Sequence, residues 1–128
     1  MRRRTIALGM AVGLILSMSL AVAPVSAGPP TEIDVSPYER FLVNCGWGIP
    51  GSSETAYWTV DLYGGTSGTF NVVVYWGDGS PANTTYHTGS YDTHHLFQCG
   101  GGVDYQSWSA WRSGGGTGYD STRVNTGS

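Results

Sequence analysis

The chain has 128 residues, a net charge of −3 from six basic and nine acidic side chains, and 20 glycines, 8 tyrosines and 5 tryptophans. It contains no lysine, and three of its six basic residues are Arg2, Arg3 and Arg4. Clustered Lys and Arg carry phosphate-backbone and anionic-surface binding, so nucleic acid is excluded as an expected partner, and so is a membrane surface once those arginines are removed.

The first element expected is a helical signal peptide over 1–27. Met1-Arg2-Arg3-Arg4-Thr5 is a charged n-region, and Ile6–Ala23 is an apolar stretch too short and too Ser/Gly-broken for a comfortable span. Pro24-Val25-Ser26-Ala27-Gly28 supplies small residues at the cleavage positions. Cleavage after Ala27 leaves three basic residues (Arg40, Arg112, Arg123) against nine acidic ones, a net charge of −6. The expected destination is the extracellular space. There the only two cysteines, Cys45 and Cys99, are expected to form a disulfide, because the compartment is oxidising and the count is even.

Residues 28–37, with Pro29, Pro30 and Pro37, read as a flexible leader running into a first edge strand. The domain proper is expected over 38–128, all-β and antiparallel. In Thr55–Tyr63, Ala56, Trp58, Val60 and Leu62 alternate with Tyr57, Thr59, Asp61 and Tyr63, the period of a half-buried strand. Thr69–Trp76 repeats the pattern through Phe70, Val72, Val74 and Trp76, with a second face that is also partly apolar. The glycine-rich stretch 64–68 between them predicts a hairpin or neighbouring strands, with Trp58 close to Trp76. Softer strand signals follow at Thr84–His87, Tyr91–Phe97, Val103–Trp111 and Tyr119–Asn125, separated by glycine turns. Short strands at this spacing in about 100 residues point to a β-sandwich.

Val72-Val73-Val74-Tyr75-Trp76-Gly77-Asp78-Gly79-Ser80-Pro81, followed by His95-Leu96-Phe97 and Val103-Asp104-Tyr105, resembles the signature of the PKD (polycystic kidney disease) domain, over about residues 53–126. The resemblance implies an immunoglobulin-like sandwich with Trp76, Gly77, Asp78, Gly79, Ser80, His95 and Phe97 as a structural motif. It also implies a non-enzymatic extracellular role in adhesion, spacing or carbohydrate contact. The final strand departs from the family in lacking its Val/Leu alternation.

Asp78 between two glycines is expected to hold a tight turn; as a calcium ligand it is a weak candidate, being a single carboxylate. His94 and His95, adjacent in a strand, point to opposite faces and do not readily share a metal. No Gly-x-Ser-x-Gly elbow or His-Glu-x-x-His helix signals a hydrolase, so no enzyme activity and no cofactor are expected. The functional hint lies in the aromatics. Trp108 and Trp111, three apart in a strand, face opposite sides, and one of them with Tyr57, Tyr63 or Tyr75 is expected to form a platform for a glycan or a protein. The domain is expected to act as a monomer. A second reading is a small secreted inhibitor or effector of an extracellular enzyme, acting through Gly100–Gly102 or Gly114–Gly116.

Overall fold

The computed structural model describes residues 29–47 and 51–127, without the side chain of Trp47. The signal-peptide expectation therefore lies outside the described residues. The described chain is all-β apart from a short 3-10 turn at Val43–Trp47.

Eight strands form, in chain order: β1 (Glu32–Ser36), β2 (Glu39–Phe41), β3 (Ser53–Tyr63), β4 (Ser67–Tyr75), β5 (Asn83–His87), β6 (Tyr91–Gln98), β7 (Val103–Ser113) and β8 (Thr117–Asn125). They make a three-stranded sheet, β1-β3-β6, and a five-stranded sheet, β2-β8-β7-β4-β5. Every pairing is antiparallel except β2 with β8.

The strand alternation read from the sequence decides what lies between the sheets. Ala56, Trp58, Val60 and Leu62 of β3 face Phe70, Val72 and Val74 of β4 across one core, all buried. Its centre is aromatic. Trp58 stacks on Trp76 at 5.7 Å and meets Trp108 edge-on at 5.5 Å, while Phe97 packs edge-on against Trp58 at 6.1 Å. Such rings bury large areas and add a geometric preference beyond area alone.

Two expectations need correcting. Strands β3 and β4 are not a hairpin and not neighbours; they sit in opposite sheets. The stretch after β3 carries the chain from one sheet to the other. Gly64 and Gly65 have positive φ (81° and 70°), and Gly65 N–H is bound to the Pro29 carbonyl. Trp58 and Trp76 therefore meet across the sandwich, not along one sheet. The described part of the stretch expected as a flexible leader is tied into the fold: the Pro29 carbonyl accepts from Gly65 N–H, and the N–H of Thr31, which is buried, donates to the Gly115 carbonyl. Glu32–Ser36 is strand β1, an edge strand paired along its whole length with Thr59–Tyr63, and it buries Ile33 and Val35. It is pinned laterally as well, because Val35 N–H donates to Asp120 Oδ2 of β8 at 2.7 Å.

Cys45 and Cys99 are joined, with Cα atoms 5.0 Å apart. Cys45 follows β2 of one sheet and Cys99 follows β6 of the other, so the bond ties the two layers at one end.

Candidate functional site

The WGDGS segment folds as the turn between β4 and β5, with Gly77 at φ 83° and Gly79 at φ 90°. Asp78 Oδ1 accepts from Ser80 N–H at 2.9 Å, which closes the turn, and Oδ2 lies 2.9 Å from His95 Nε2 of β6. Burial would raise the Asp78 pKa, but the Ser80 N–H, His95 and the Ser80 hydroxyl outweigh it and hold the carboxyl below its ordinary value. The His95 ring lies flat on Trp76 at 4.2 Å and edge-on to Phe97 at 4.8 Å. This is a pin between the two sheets.

The same residues resemble a serine-histidine-aspartate set only in composition. Ser80 Oγ (3.4 Å) and Asp78 Oδ2 both approach the same nitrogen, Nε2. A relay needs the carboxylate on one imidazole nitrogen and the hydroxyl on the other. Both Asp78 oxygens are engaged, and among the described residues no cluster of three His, Cys, Asp or Glu side chains could hold a metal ion. His94 points the other way, outward beside Tyr57 (5.5 Å).

The two exposed sheet faces offer larger surfaces. On the five-stranded sheet the register places the outward residues in rows. Ser107 of β7 lies between Tyr75 of β4 and Ser121 of β8; Ser109 lies between Val73 and Tyr119; Trp111 lies between Asn71 and Thr117. Tyr86 of β5 pairs with Asn71, and Tyr105 pairs with Arg123. Neighbouring strands are about 4.8 Å apart and diagonal neighbours about 7–8 Å. Ser107, Ser109 and Ser121 thus form a low floor. Tyr75, Tyr105, Tyr119 and Trp111 stand around it, each directly or diagonally adjacent to a floor serine or its row. All four aromatics are exposed, Tyr119 to 76%. The charged groups of this face are Arg123 and Glu39, 3.3 Å apart at its edge. The face is thus aromatic-walled and hydroxyl-floored, with Arg123 beside Tyr105 and paired with Glu39.

The expected platform residues divide between surfaces. Tyr75 and Trp111 share the face just described. Tyr57 and Tyr63 are exposed on the outer face of the other sheet, so no single platform holds all of them. Trp108 belongs to no surface: it is 1% exposed, and its Nε1–H donates to Thr122 Oγ1 at 2.9 Å. Tyr86, Tyr105 and Tyr119 were not singled out from the sequence. Their signal is the alternation Tyr105-Ser107-Ser109-Trp111 against Gln106-Trp108-Ala110, but which tyrosines become neighbours depends on register, which the sequence does not display.

The glycine loops considered for an inhibitor are tied into the fold. Gly100 N–H and Gly102 N–H donate to the carbonyls of Thr126 and Gly127, and Gly115 O accepts from Thr31 N–H. No family model, no curated protein and no solved structure matches the chain.

Proposed function

We propose that this chain is an exported, non-catalytic module with an immunoglobulin-like sandwich, which binds a neutral extracellular polysaccharide through the outer face of its five-stranded sheet. The observation that carries this reading is the serine floor ringed by Tyr75, Tyr105, Tyr119 and Trp111, with its one charge pair at the rim. Aromatic faces match the C–H faces of sugar rings, and serine, threonine and tyrosine hydroxyls match their hydroxyl groups. An exposed aromatic patch of this kind marks an interaction surface. The PKD-like signature supports the same class, since the Asp78–His95 pin joins the two parts of the motif. The disulfide suits an oxidising compartment.

A protein partner is the second reading, because a Tyr- and Ser-rich face is also the composition of antibody paratopes. The deciding experiment is depletion of the mature domain from solution by cellulose, chitin and xylan, repeated with Trp111→Ala, Tyr119→Ala and Tyr63→Ala. Retention on at least one polysaccharide, insensitive to salt and lost in the first two variants but not the third, is the expected result. Absence of retention on every neutral polysaccharide, or retention indifferent to Trp111 and Tyr119, removes the glycan reading in favour of a protein partner.

A further inference from the structure

The opposite sheet carries a concave feature of different chemistry. Strand β1 stops at Ser36, opposite Thr59, and does not pair with β3 beyond it. At that point lies a cleft of about 280 Å³ lined by Ser36, Arg40, Tyr57, Thr59, Asp92 and Thr93, among others. It is near the lower limit of small-ligand sites, which start at roughly 300 Å³.

Two charged side chains in this cleft are held in place while keeping bonding capacity. Arg40 Nε donates to the Tyr57 carbonyl at 3.2 Å, which fixes the guanidinium plane and leaves its terminal amino groups beyond that bond. Asp92 Oδ1 accepts from Thr59 Oγ1 at 3.0 Å, which fixes the carboxylate and leaves Oδ2. Among the described residues neither is in an ion pair. The other two mature-domain arginines are engaged elsewhere. Arg112 lies over Phe70 at 4.2 Å, and Arg123 pairs with Glu39. Trp58 also lines the cleft, and its buried Nε1–H has no hydrogen-bond partner.

We infer that this cleft is a second binding site, for a single neutral sugar residue held through vicinal hydroxyls. One hydroxyl accepts from the Arg40 guanidinium, and its neighbour donates to Asp92. Hydrogen bonds to charged groups are the strong ones, and an anchored donor and an anchored acceptor lining one cleft can engage the two hydroxyls of a diol. One positive and one negative group cancel, so the cleft selects against a charged guest in either direction. Ser36, Thr59 and Thr93 add hydroxyls, and the exposed Tyr57 ring offers a stacking face at the rim. The site does not depend on the five-stranded face, which lies on the other side of the sandwich.

The test is a backbone-amide NMR titration of the mature domain with glucose, galactose, mannose, glucuronate and glucosamine. At least one neutral hexose is expected to shift Thr59, Asp92 and Thr93, more strongly than its acidic or amino counterpart. Asp92→Asn and Arg40→Met are each expected to weaken that binding about tenfold or more. Trp111→Ala is expected to leave it unchanged, which separates this site from the polysaccharide face. Thr93→Ala, a milder change, guards against loss of fold as the cause and is expected to weaken binding with the melting temperature retained. The inference is overturned if no neutral hexose shifts these amides, if glucuronate or glucosamine binds more tightly, or if the Asp92, Arg40 and Thr93 variants bind as the parent does.

Discussion

The two outer faces of the sandwich enclose one core yet differ in almost everything else. The three-stranded face gathers Glu32, Asp34, Asp61 and Asp92, with Asp34 directly opposite Asp61 across β1 and β3. The five-stranded face sets tyrosine and tryptophan around serine, with its one charge pair at the edge. Each face alternates with its own buried residues, and both sets fill one core, so packing does not account for the difference. Like charges placed opposite one another cost stability in a strand pair. Exposed aromatics are equally unnecessary to the core. The inward half of each strand builds the core, while the outward half differs in chemistry between the two faces, as the two proposed binding surfaces require.

If that division is right, core changes disable both faces together and face changes leave the fold alone. The sharpest test sets Trp108 against Trp111, three residues apart on β7 and 1% and 41% exposed. Trp108→Ala opens a cavity between the sheets at a cost of about 3–5 kcal/mol. It also strips a partner from Thr122, which donates onward to Gln106 Oε1 at 2.9 Å. Trp111→Ala is expected to cost no more than about 0.5–1 kcal/mol, because it faces solvent. Denaturant melts of the two variants that came out equal would break the comparison.

Cys45→Ser comes next. The bond spans 54 positions of sequence and joins the layers. Its loss is expected to destabilise by about 4 kcal/mol in the chain-entropy view. The same fall in melting temperature should appear on adding reductant to the parent, and an unchanged melt would show that the cross-link holds nothing.

A smaller effect separates Gly77 from Gly79. Both have positive φ, so alanine at either is strained by about 1 kcal/mol or more. Around Gly79 a Cβ meets nothing within 4 Å, but at Gly77 it runs into the Tyr105 carbonyl oxygen of β7. Gly77→Ala should therefore destabilise by roughly 2 kcal/mol more than Gly79→Ala. Equal melts would mean that the turn can move away from β7.

These contrasts also mark what was legible in the sequence. Period-two runs at Thr55–Tyr63 and Thr69–Trp76 located β3 and β4 to within two residues, because burial on one face is written into every second position. The cysteine pairing needed only a count and a compartment. The sheet to which each strand belongs was not legible. The 64–68 glycines serve a hairpin and a crossover between sheets equally well, and the choice rests on long-range contacts such as Gly65 N–H to Pro29 O. Trp111 was half-legible: its spacing from Trp108 showed that one of the two faces outward, but not which. The serine floor was hidden because it is assembled from β7 and β8 by register alone. The cleft depends on β1 ending at Ser36, where the prolines mark only an edge.

The smallest effect concerns the pin that couples the two sheets. Asp78 has a native pKa below its ordinary 3.8, held down by Ser80 and His95 against the cost of burial. A carboxyl of this kind contributes stability that is fully present above pH 3.8 and is lost as the pH falls through the native value. Asp104 acts in the opposite sense: burial first, and then the charge of Asp78, raise its pKa, so acid relieves rather than weakens it. Asp78→Asn removes the first contribution and the charge behind part of the second. It is expected to cost about 1–2 kcal/mol at neutral pH through the weakened contact to His95. Measured by urea melts from pH 7 downwards, the gap between parent and Asp78→Asn should hold steady to about pH 4 and then close. A gap that persists unchanged in acid would mean that the carboxylate's charge contributes nothing at the joint. The two sheets would then be held together by the aromatic core, the disulfide and links such as Val35 N–H to Asp120 Oδ2.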